Sequence, residues 1–290
     1  MTDFTLPCPA KINLGLSIGA KLDKGYHQVE TIMAKIPLCD YLYLRFMEGR
    51  RVFGMHGDLE GIPQDQSNLV FLAWNLLSCY YQAPSVDVIV DKKNIPIGAG
   101  LGGGGSSNAG CVLSALNQHC HLGVPESEIK NMAVFLGADL PFFAQPHSVV
   151  YEKNHGLRSL ESHPLPSLPP CKIVLLIQDF SLSTPQMYQR FDELKKASKP
   201  ASLQKLLQAV KKQDLEQIGK HLHNDFQDVL LRDYPQLELD LVLMKKLGCL
   251  GCGFTGKGPT IFGLFPPEAE LDLASLNRHV ILVPIESSHD

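Results

Sequence analysis

Residues 98–105 read GAGLGGGG, and these eight positions hold six of the 24 glycines in a chain of 290 residues. Glycine weakens regular helices and strands, but it allows positive φ and lets the backbone approach a ligand closely. Ser106 and Ser107 follow, and from Ala109 onwards apolar residues recur at helical spacing. A glycine loop that leads into a helix N-terminus presents free N–H groups and the positive end of the helix dipole to an anion. The tract therefore predicts a phosphate-binding loop.

Other interpretations of the tract fit the sequence less well. Gly98, Gly100 and Gly103 satisfy the GxGxxG pattern of dinucleotide-binding folds, but that pattern needs a strand that runs directly into the first glycine. Pro96 and the polar residues 92–94 stand there instead. A Walker A loop would close with Lys-Ser or Lys-Thr, which this tract lacks. A flexible linker would not lead straight into a periodic helix.

Apolar periodicity predicts a mixture of strands and helices. Strict alternation from Lys11 to Ile18 predicts a half-buried strand whose polar face carries Lys11 and Asn13 as neighbours. The chain is therefore expected to fold as an α+β protein. Further helices are predicted near residues 69–77, 109–120, 129–136 and 203–210, and further strands near 86–90, 172–177, 260–265 and 279–283.

The segment between Asn154 and Pro170 is polar and rich in proline, which predicts a linker. A typical domain has about 150 residues, so a chain of 290 residues is expected to form two domains. We predict that these comprise residues 1–160 and 161–290, with the glycine tract in the first.

Charge and composition exclude several classes of partner. The 26 basic and 30 acidic side chains give a net charge of −4, so no basic field favours nucleic acid or an anionic membrane. Apolar runs fall far short of the ~18 residues that predict a membrane span, and the N-terminus lacks the order of a secretory signal. Eight scattered cysteines, with one CxxC at Cys249 and Cys252 and no second ligand pair nearby, indicate reduced thiols. These features predict a cytoplasmic protein with small-molecule partners, and they leave the oligomeric state open.

Three motifs resemble those of one enzyme family, the GHMP small-molecule kinases. PIGAGLGGGGSSNAG at 96–110 is similar to its central phosphate motif, PAKINLGLSI at 9–18 to its N-terminal motif, and GFTGKGPTIFGLF at 253–265 to its C-terminal glycine loop. The order is also the same, and the resemblance covers nearly the whole chain. It implies a two-domain α+β GHMP kinase fold, with a ribosomal-protein-S5-domain-2-like N-terminal domain, a ferredoxin-like C-terminal domain and the active site in the cleft between them.

Two further segments resemble one branch of that family. DKGYHQVET at 23–31 and LGADLPFF at 136–143 are similar to the kinases that use ATP to phosphorylate the 2-hydroxyl of a cytidine diphosphate-linked methylerythritol in non-mevalonate isoprenoid biosynthesis. One alternative is a GHMP kinase for homoserine or a mevalonate, whose acceptors have no base for an aromatic side chain to bind. Another is a non-catalytic nucleotide-binding regulator on the same fold. In one departure, Leu101 precedes four glycines where the family pattern usually has three.

The resemblance assigns catalysis to Lys11 and Asp139. Asp139 stands in the apolar segment ADLPFF, where an acid is uncommon unless it is paired or used. A carboxylate beside the substrate hydroxyl can accept its proton as the oxygen attacks the γ-phosphorus. A lysine ammonium can orient that carboxylate and offset developing charge. An ordinary buried ion pair is the structural alternative.

The resemblance also implies a set of substrate-binding residues. An aromatic ring can stack on a base, and histidine can hydrogen-bond the base edge. The substrate-binding residues implied are Asn13, Tyr26, His27, Thr184 and Tyr188. The C-terminal loop is implied to close one side of the site with Gly253, Thr255, Gly256 and Gly258.

For ATP, the resemblance implies the glycine tract and its neighbours. The ATP-binding residues implied are Pro96, Gly98, Gly100, Leu101, Gly102, Gly103, Gly104, Gly105, Ser106, Ser107, Asn68 and Lys92. Asn68, together with Lys92 or Lys93, resembles family positions that contact adenine and its ribose. These residues fit equally well as a helix N-terminal residue and a solvated basic turn. A β-branched residue at Gly103 is expected to weaken ATP binding by excluding positive φ. ATP implies Mg²⁺, which relies largely on substrate phosphates and water, and no protein ligand is assigned to it.

Overall fold

The computed structural model describes residues 3–22, 26–47, 52–155, 160–194, 202–274, 276 and 278–286. The chain divides into two compact units, and neither is continuous in sequence. Unit 1 comprises residues 1–10, 38–97 and 102–146, and unit 2 comprises residues 11–37, 98–101 and 147–290. These limits differ from the predicted domains 1–160 and 161–290 because each of the first two strands begins in one unit and ends in the other. These strands are β1 (Phe4–Lys21) and β2 (His27–Met47).

Unit 1 is a small sheet covered by helices. Its strand β4 pairs antiparallel with the second half of β2, where Leu42 lies opposite Val90, and parallel with β3. Apolar residues of these strands pack on α1 and α2 in one core. The helices predicted near 69–77, 109–120 and 129–136 are confirmed as α1 to α3. The elements of unit 1 besides parts of β1 and β2 are β3 (Phe53–Gly57), α1 (Leu69–Tyr81), β4 (Ser85–Asp91), α2 (Ser106–His119), α3 (Glu126–Leu136) and α4 (Leu140–Phe143).

Close packing between α2 and α4 fixes the backbone around Asp139. A Cβ at Gly110 of α2 would lie 2.6 Å from Phe143 Cβ and 2.9 Å from the Leu140 carbonyl oxygen, so only glycine allows this approach. All four residues of α4 are buried, whereas Asp139, immediately before them, is partly exposed. The apolar turn therefore anchors the main chain and leaves the carboxyl group near the surface.

Unit 2 contains a four-stranded antiparallel sheet in the order β11–β7–β10–β9. The first half of β2 pairs antiparallel with β5, and β5 with β6. β1 pairs parallel with the short strand β8, where Gly15 lies opposite His223. The elements of unit 2 besides parts of β1 and β2 are β5 (Val149–Asn154), β6 (Leu160–Leu165), β7 (Cys171–Ile177), α5 (Thr184–Leu194), α6 (Gln204–Lys211), α7 (Leu215–Lys220), β8 (His223–Asn224), α8 (Gln227–Asp233), α9 (Leu237–Lys246), β9 (Gly251–Phe254), β10 (Ile261–Phe265) and β11 (His279–Ile285).

The predicted linker 154–170 is partly wrong, because β6 occupies residues 160–165. Proline removes a backbone donor, and it is tolerated in a sheet where a strand is paired on one side only. Among the strands that the structure describes, β6 pairs with β5 alone, and Pro164 lies opposite Val150 in that pairing. Of the prolines that suggested a linker, Pro164 therefore lies in an edge strand, and Pro166, Pro169 and Pro170 follow it.

The strand predicted from Lys11 to Ile18 is confirmed within β1, but it is not half-buried. Residues 10–18 are buried on both faces, and Lys11 is only 3% exposed. Charged groups are rarely buried so completely unless they are hydrogen-bonded. The polar face of β1 must therefore meet other polar groups.

Candidate active site

A chain of buried hydrogen bonds extends from Lys11 across β1 and β2 in unit 2. Lys11 Nζ donates to Asn13 Oδ1 at 2.5 Å, and Asn13 Nδ2 donates to Thr31 Oγ1 at 2.9 Å. The Thr31 hydroxyl in turn donates to the Gly15 carbonyl oxygen at 2.7 Å. The alternation of β1 places Lys11 and Asn13 on one face, as predicted, and the chain of bonds orients both polar groups.

Thr255, from the C-terminal glycine loop, joins the same cluster and is fully buried. Its hydroxyl oxygen accepts from the Asn13 backbone N–H at 3.1 Å. The same oxygen lies 3.4 Å from Asn13 Oδ1 and 3.3 Å from the Gly100 carbonyl oxygen. The N-terminal motif, the start of the glycine tract and the C-terminal loop therefore meet at Thr255 within unit 2.

Asn224 holds the turn that carries Thr255. Its Nδ2 donates to the carbonyl oxygens of Phe254 and Gly256, each at 2.8 Å, and its Oδ1 accepts from the Phe226 N–H at 2.9 Å. Both protons of one buried amide are thus used on the two residues that flank Thr255. This arrangement restricts the backbone of the turn on both sides of the hydroxyl.

The first part of the glycine tract contacts protein, not open space. The Leu101 carbonyl oxygen accepts from the Lys11 N–H at 3.0 Å, and the Leu101 side chain is fully buried. Gly98 and Gly100 both have φ of +78°, and a Cβ on Gly100 would lie 2.6 Å from the Thr255 carbonyl oxygen. These residues support the cluster around Lys11, and their predicted contact with ATP stays a prediction.

The second part of the tract forms the entry to α2 in unit 1. Gly102 and Gly105 adopt positive φ, 85° and 100°. Gly103 does not, so the conformational reason predicted for it is wrong. Its constraint is contact, because a Cβ there would lie 2.6 Å from the Pro96 carbonyl oxygen. Apart from Gly104 itself and its two chain neighbours, by contrast, no described atom lies within 4 Å of a Cβ placed on Gly104.

The two serines that open α2 have different surroundings. Ser107 is buried, and its hydroxyl donates to the Pro9 carbonyl oxygen at 2.6 Å. Ser106 is partly exposed at the first position of the helix. A helix N-terminus attracts an anion through its free N–H groups and its dipole. Gly104 and Ser106 therefore form the accessible side of this helix start.

The predicted base-binding residues lie near one another in unit 2, in an unexpected arrangement. The His27 ring stacks on Tyr188, with centroids 5.0 Å apart and an interplanar angle of 15°. His27 Nε2 lies 2.8 Å from Asp192 Oδ1, and the His27 side chain is only 1% exposed. Tyr26 is 51% exposed, and Thr184 is also exposed at the start of α5. The stacking partner of Tyr188 in this structure is therefore His27, whereas a base held between Tyr26 and Tyr188 stays a prediction.

Asp192, which the sequence did not single out, orients His27. Burial alone would raise the pKa of the Asp192 carboxyl, but hydrogen bonds from Lys21 and His27 outweigh it and lower that pKa. The carboxylate accepts from His27 Nε2, so Nδ1 is the ring nitrogen that Asp192 does not use. Within the described part of the chain, the buried His27 Nδ1 has no hydrogen-bond partner.

The remaining ATP-binding candidates have structural partners. Asn68 is the N-cap of α1, where its Oδ1 accepts from the N–H groups of Val70 and Phe71. Lys92 is buried and donates to Asp40 Oδ2 at 2.5 Å. The interpretation of Asn68 as a helix N-terminal residue is confirmed, and that of Lys92 as a solvated residue is wrong. A contact of either side chain with ATP stays a prediction.

The described residues contain no group of three or more His, Cys, Asp or Glu side chains placed to hold a metal ion. All eight cysteines are free thiols, as predicted. In the same described ranges, no helix is long and apolar enough to cross a membrane.

Sequence reasoning missed Thr31, Asn224 and Asp192. Each acts through a partner far away in the sequence, as when Thr31 contacts Asn13 on a neighbouring strand. Periodicity in the sequence reports the face of a strand but not the register with its neighbour. An unusual polar residue at a buried strand position is the one signal that could have drawn attention to Thr31.

Comparisons with known proteins identify the family of this chain. The family model described as GHMP kinases N terminal domain matches residues 68–145, and the model described as GHMP kinases C terminal matches residues 206–281. Together with the fold, these matches define a GHMP kinase.

Individual relatives show to which branch of the GHMP kinases the chain belongs. A 4-diphosphocytidyl-2-C-methyl-D-erythritol kinase from Acaryochloris marina is 34% identical, over 97% of this chain and 93% of the relative, and one from Shouchella clausii is 32% identical, over 93% and 88%. A crystal structure of 4-(cytidine 5'-diphospho)-2C-methyl-D-erythritol kinase matches with a TM-score of 0.72 and 29% identity, over 90% of each chain. The chain therefore belongs to the family of 4-diphosphocytidyl-2-C-methyl-D-erythritol kinases.

Proposed function

We propose that this chain transfers the γ-phosphoryl group of ATP to the 2-hydroxyl of 4-diphosphocytidyl-2-C-methyl-D-erythritol, giving the 2-phosphate and ADP, in non-mevalonate isoprenoid biosynthesis. The names of its relatives support this reaction. The observation that carries it in the structure is the buried cluster of Lys11, Asn13 and Thr255, because it fixes an ammonium group within the family's N-terminal motif. A fixed charge needs no reorganisation when the transition state forms.

In the proposed mechanism, the substrate oxygen attacks the γ-phosphorus, and the bond from that phosphorus to the ADP oxygen breaks. Asp139 accepts the hydroxyl proton as general base. Lys11 offsets the negative charge that develops on the reacting oxygens, and Asn13 holds Lys11 and binds the substrate. Mg²⁺ supplies charge neutralisation on the phosphates when bound, and those phosphates and water would be its main ligands.

The second part of the glycine tract is proposed to bind the phosphates of ATP. The open space at Gly104 and the partly exposed Ser106 support this assignment. Ser107 donates its hydroxyl to Pro9, so Ser106 takes the phosphate side of this four-glycine tract. Pro96 supports the loop through its contact with Gly103.

The cytosine base is proposed to bind at Tyr26, with His27, Thr184 and Tyr188 around it. The exposed ring of Tyr26 offers a stacking surface. Because Asp192 accepts from His27 Nε2, His27 can present its other ring nitrogen to the exocyclic amine of cytosine. Uracil carries a carbonyl oxygen at that position, so this arrangement favours cytosine.

ATP use and the eight free thiols support a cytoplasmic location. The partners proposed are the two small-molecule substrates, without nucleic acid or membrane.

The test is ADP release by the purified chain with ATP, Mg²⁺ and a panel of acceptors: the cytidine substrate, its uridine form, homoserine and mevalonate. We expect turnover of the cytidine substrate above all others. Turnover of homoserine or mevalonate without the cytidine compound would overturn the proposal.

Asp139→Asn is the matched variant for the same assay, because it keeps the size of the side chain and removes the base. We expect it to bind both substrates and to lose roughly 10²-fold or more in kcat. A near-normal kcat would remove Asp139 from the chemistry.

A further inference from the structure

Thr31 of β2 is buried beside Asn13, and the proposed reaction gives it no role so far. The residue is 7% exposed, and its hydroxyl both donates and accepts a hydrogen bond. The hydroxyl donates to the Gly15 carbonyl oxygen at 2.7 Å and accepts from Asn13 Nδ2 at 2.9 Å. Thr31 therefore connects the backbone of β1 to a side chain of the same strand.

The direction of these bonds follows from the chemistry of each group. A carbonyl oxygen can only accept, so the single hydroxyl proton of Thr31 must point at Gly15. The Thr31 oxygen therefore faces Asn13 as an acceptor, and the amide group opposite it must be the NH₂. The oxygen of the Asn13 amide then points the other way, towards Lys11 Nζ.

The opposite orientation of the Asn13 amide would be unfavourable at two contacts, those with Thr31 and with Lys11. It would place two oxygen acceptors face to face at Thr31 and an NH₂ donor against the ammonium of Lys11. Unsatisfied polar groups are costly in a buried cluster. The Thr31 hydroxyl on β2 and the Lys11 ammonium thus favour the same one of the two orientations of the Asn13 amide.

We infer that Thr31 is a positioning residue for phosphoryl transfer, because its hydroxyl fixes the Asn13 amide and, through that amide, the Lys11 ammonium. The inference rests on the proposed role of Lys11. Thr31 itself touches no reacting atom.

Thr31→Val removes the hydroxyl and keeps the shape of the side chain. We expect kcat to fall roughly tenfold, because the Asn13 amide loses the contact that orients it towards the Lys11 ammonium. The KM for ATP should stay within about twofold, because ATP is proposed to bind elsewhere. Thr31→Ser restores the hydroxyl and should restore kcat.

Thr260→Val is the matched control, since it makes the same change at another buried threonine of unit 2. Among the described residues, the Thr260 hydroxyl has no hydrogen-bond partner. We expect this variant to keep wild-type kcat. A fall equal to that of Thr31→Val would mean that any buried Thr→Val change has the effect, and it would overturn the inference.

A double-mutant cycle separates positioning from general stabilisation. If Thr31 acts through the amide, adding Thr31→Val to Asn13→Ala should change kcat by less than about twofold. An equal loss in both backgrounds would show a structural role and overturn the inference. The side-chain amide protons of Asn13, followed by NMR, should exchange slowly in wild type and Thr31→Ser and faster in Thr31→Val.

The outcomes also separate this inference from the proposed function. If the wild type uses another acceptor of the panel, the function is wrong, and the same variants are compared with that acceptor. The NMR exchange comparison needs no acceptor at all. Unchanged exchange of the Asn13 amide in Thr31→Val would overturn the inference whatever the substrate is.

Discussion

Gly104 lies just before the N-terminus of α2, with open space around its Cβ position. We expect Gly104→Val to raise the Kd for ATP roughly tenfold or more, because the side chain would fill space used by phosphate. The melting temperature should hardly change, since no described atom beyond the neighbouring residues lies within 4 Å of the new Cβ. Calorimetric titration with ATP and a thermal melt of the same sample measure both quantities.

Gly103→Ala gives the contrasting variant for this measurement. Its Cβ would lie 2.6 Å from the Pro96 carbonyl oxygen, so we expect a lower melting temperature. Unchanged ATP affinity in Gly104→Val would show that phosphate binds away from this part of the loop.

Tyr26 is the residue on which the cytosine base is proposed to stack. Because its ring is 51% exposed, its removal should cost the fold little. Stacking of a base on an aromatic ring is worth about 1–3 kcal/mol, so Tyr26→Ala should raise the KM for the cytidine substrate roughly 5- to 150-fold. Steady-state kinetics with each substrate varied in turn measure this, and the KM for ATP serves as the internal control. A rise in the ATP value instead would place the nucleotide, not cytosine, at Tyr26.

At the start of α1, Asn68 has two proposed roles, as the N-cap of the helix and as a contact for ATP. Asn68 caps α1 through its Oδ1, and its Nδ2 donates to the Pro63 carbonyl oxygen at 2.7 Å. We expect Asn68→Ala to lower the free energy of unfolding by about 0.5–2 kcal/mol and to leave the Kd for ATP unchanged, because both polar groups are used within unit 1. Urea unfolding and ATP titration of the same variant test this.

Asn68→Asp separates the two roles, because aspartate keeps the capping oxygen and loses the amide donor. It should retain more stability than Asn68→Ala. Weaker ATP binding in both variants would restore Asn68 as an adenine or ribose contact.

Local periodicity predicted most helices and strands, and it failed where partners come from elsewhere in the chain. The alternation of β1 correctly placed Lys11 and Asn13 together, yet the polar face is buried because Thr31 and Thr255 cover it. The alternation of polar and apolar residues along a strand does not show which other strand lies beside it. For the same reason, the motifs predicted a phosphate loop but not that its first part, up to Leu101, belongs to unit 2 and its second part, from Gly102, to unit 1.

At the scale of the whole molecule, the division into units has a consequence for truncation. Gly15 of β1 approaches α6 so closely that a Cβ would lie 2.7 Å from Leu206 Cδ2, and Leu206 is only 1% exposed in the intact chain. Leu16 and Ile18 belong to the same core as β7 and β10. The fragment 161–290, the predicted C-terminal domain, lacks all of these contacts.

We therefore expect fragment 161–290 to lack a cooperative thermal unfolding transition, because the surface that β1 covers would be exposed to water. Circular dichroism melts of the fragment and of the full chain test this, and amide exchange in α6 adds a local measurement. A sharp transition with protected α6 amides would show that the predicted boundary at residue 160 marks an independent folding domain.

The pairing of β1 with β8 also sets an order of events during protein synthesis. Ser17 Oγ donates to Asp225 Oδ2, 208 residues further along the chain, and the Ile18 N–H donates to the same carboxylate. At roughly 5–20 residues per second on the ribosome, the partner emerges on the order of 10–40 s after β1. Through that interval the apolar side of β1 needs a chaperone or a temporary neighbour to prevent aggregation. Lys11 is thus translated long before Thr255, the residue that contacts its hydrogen-bond partner Asn13.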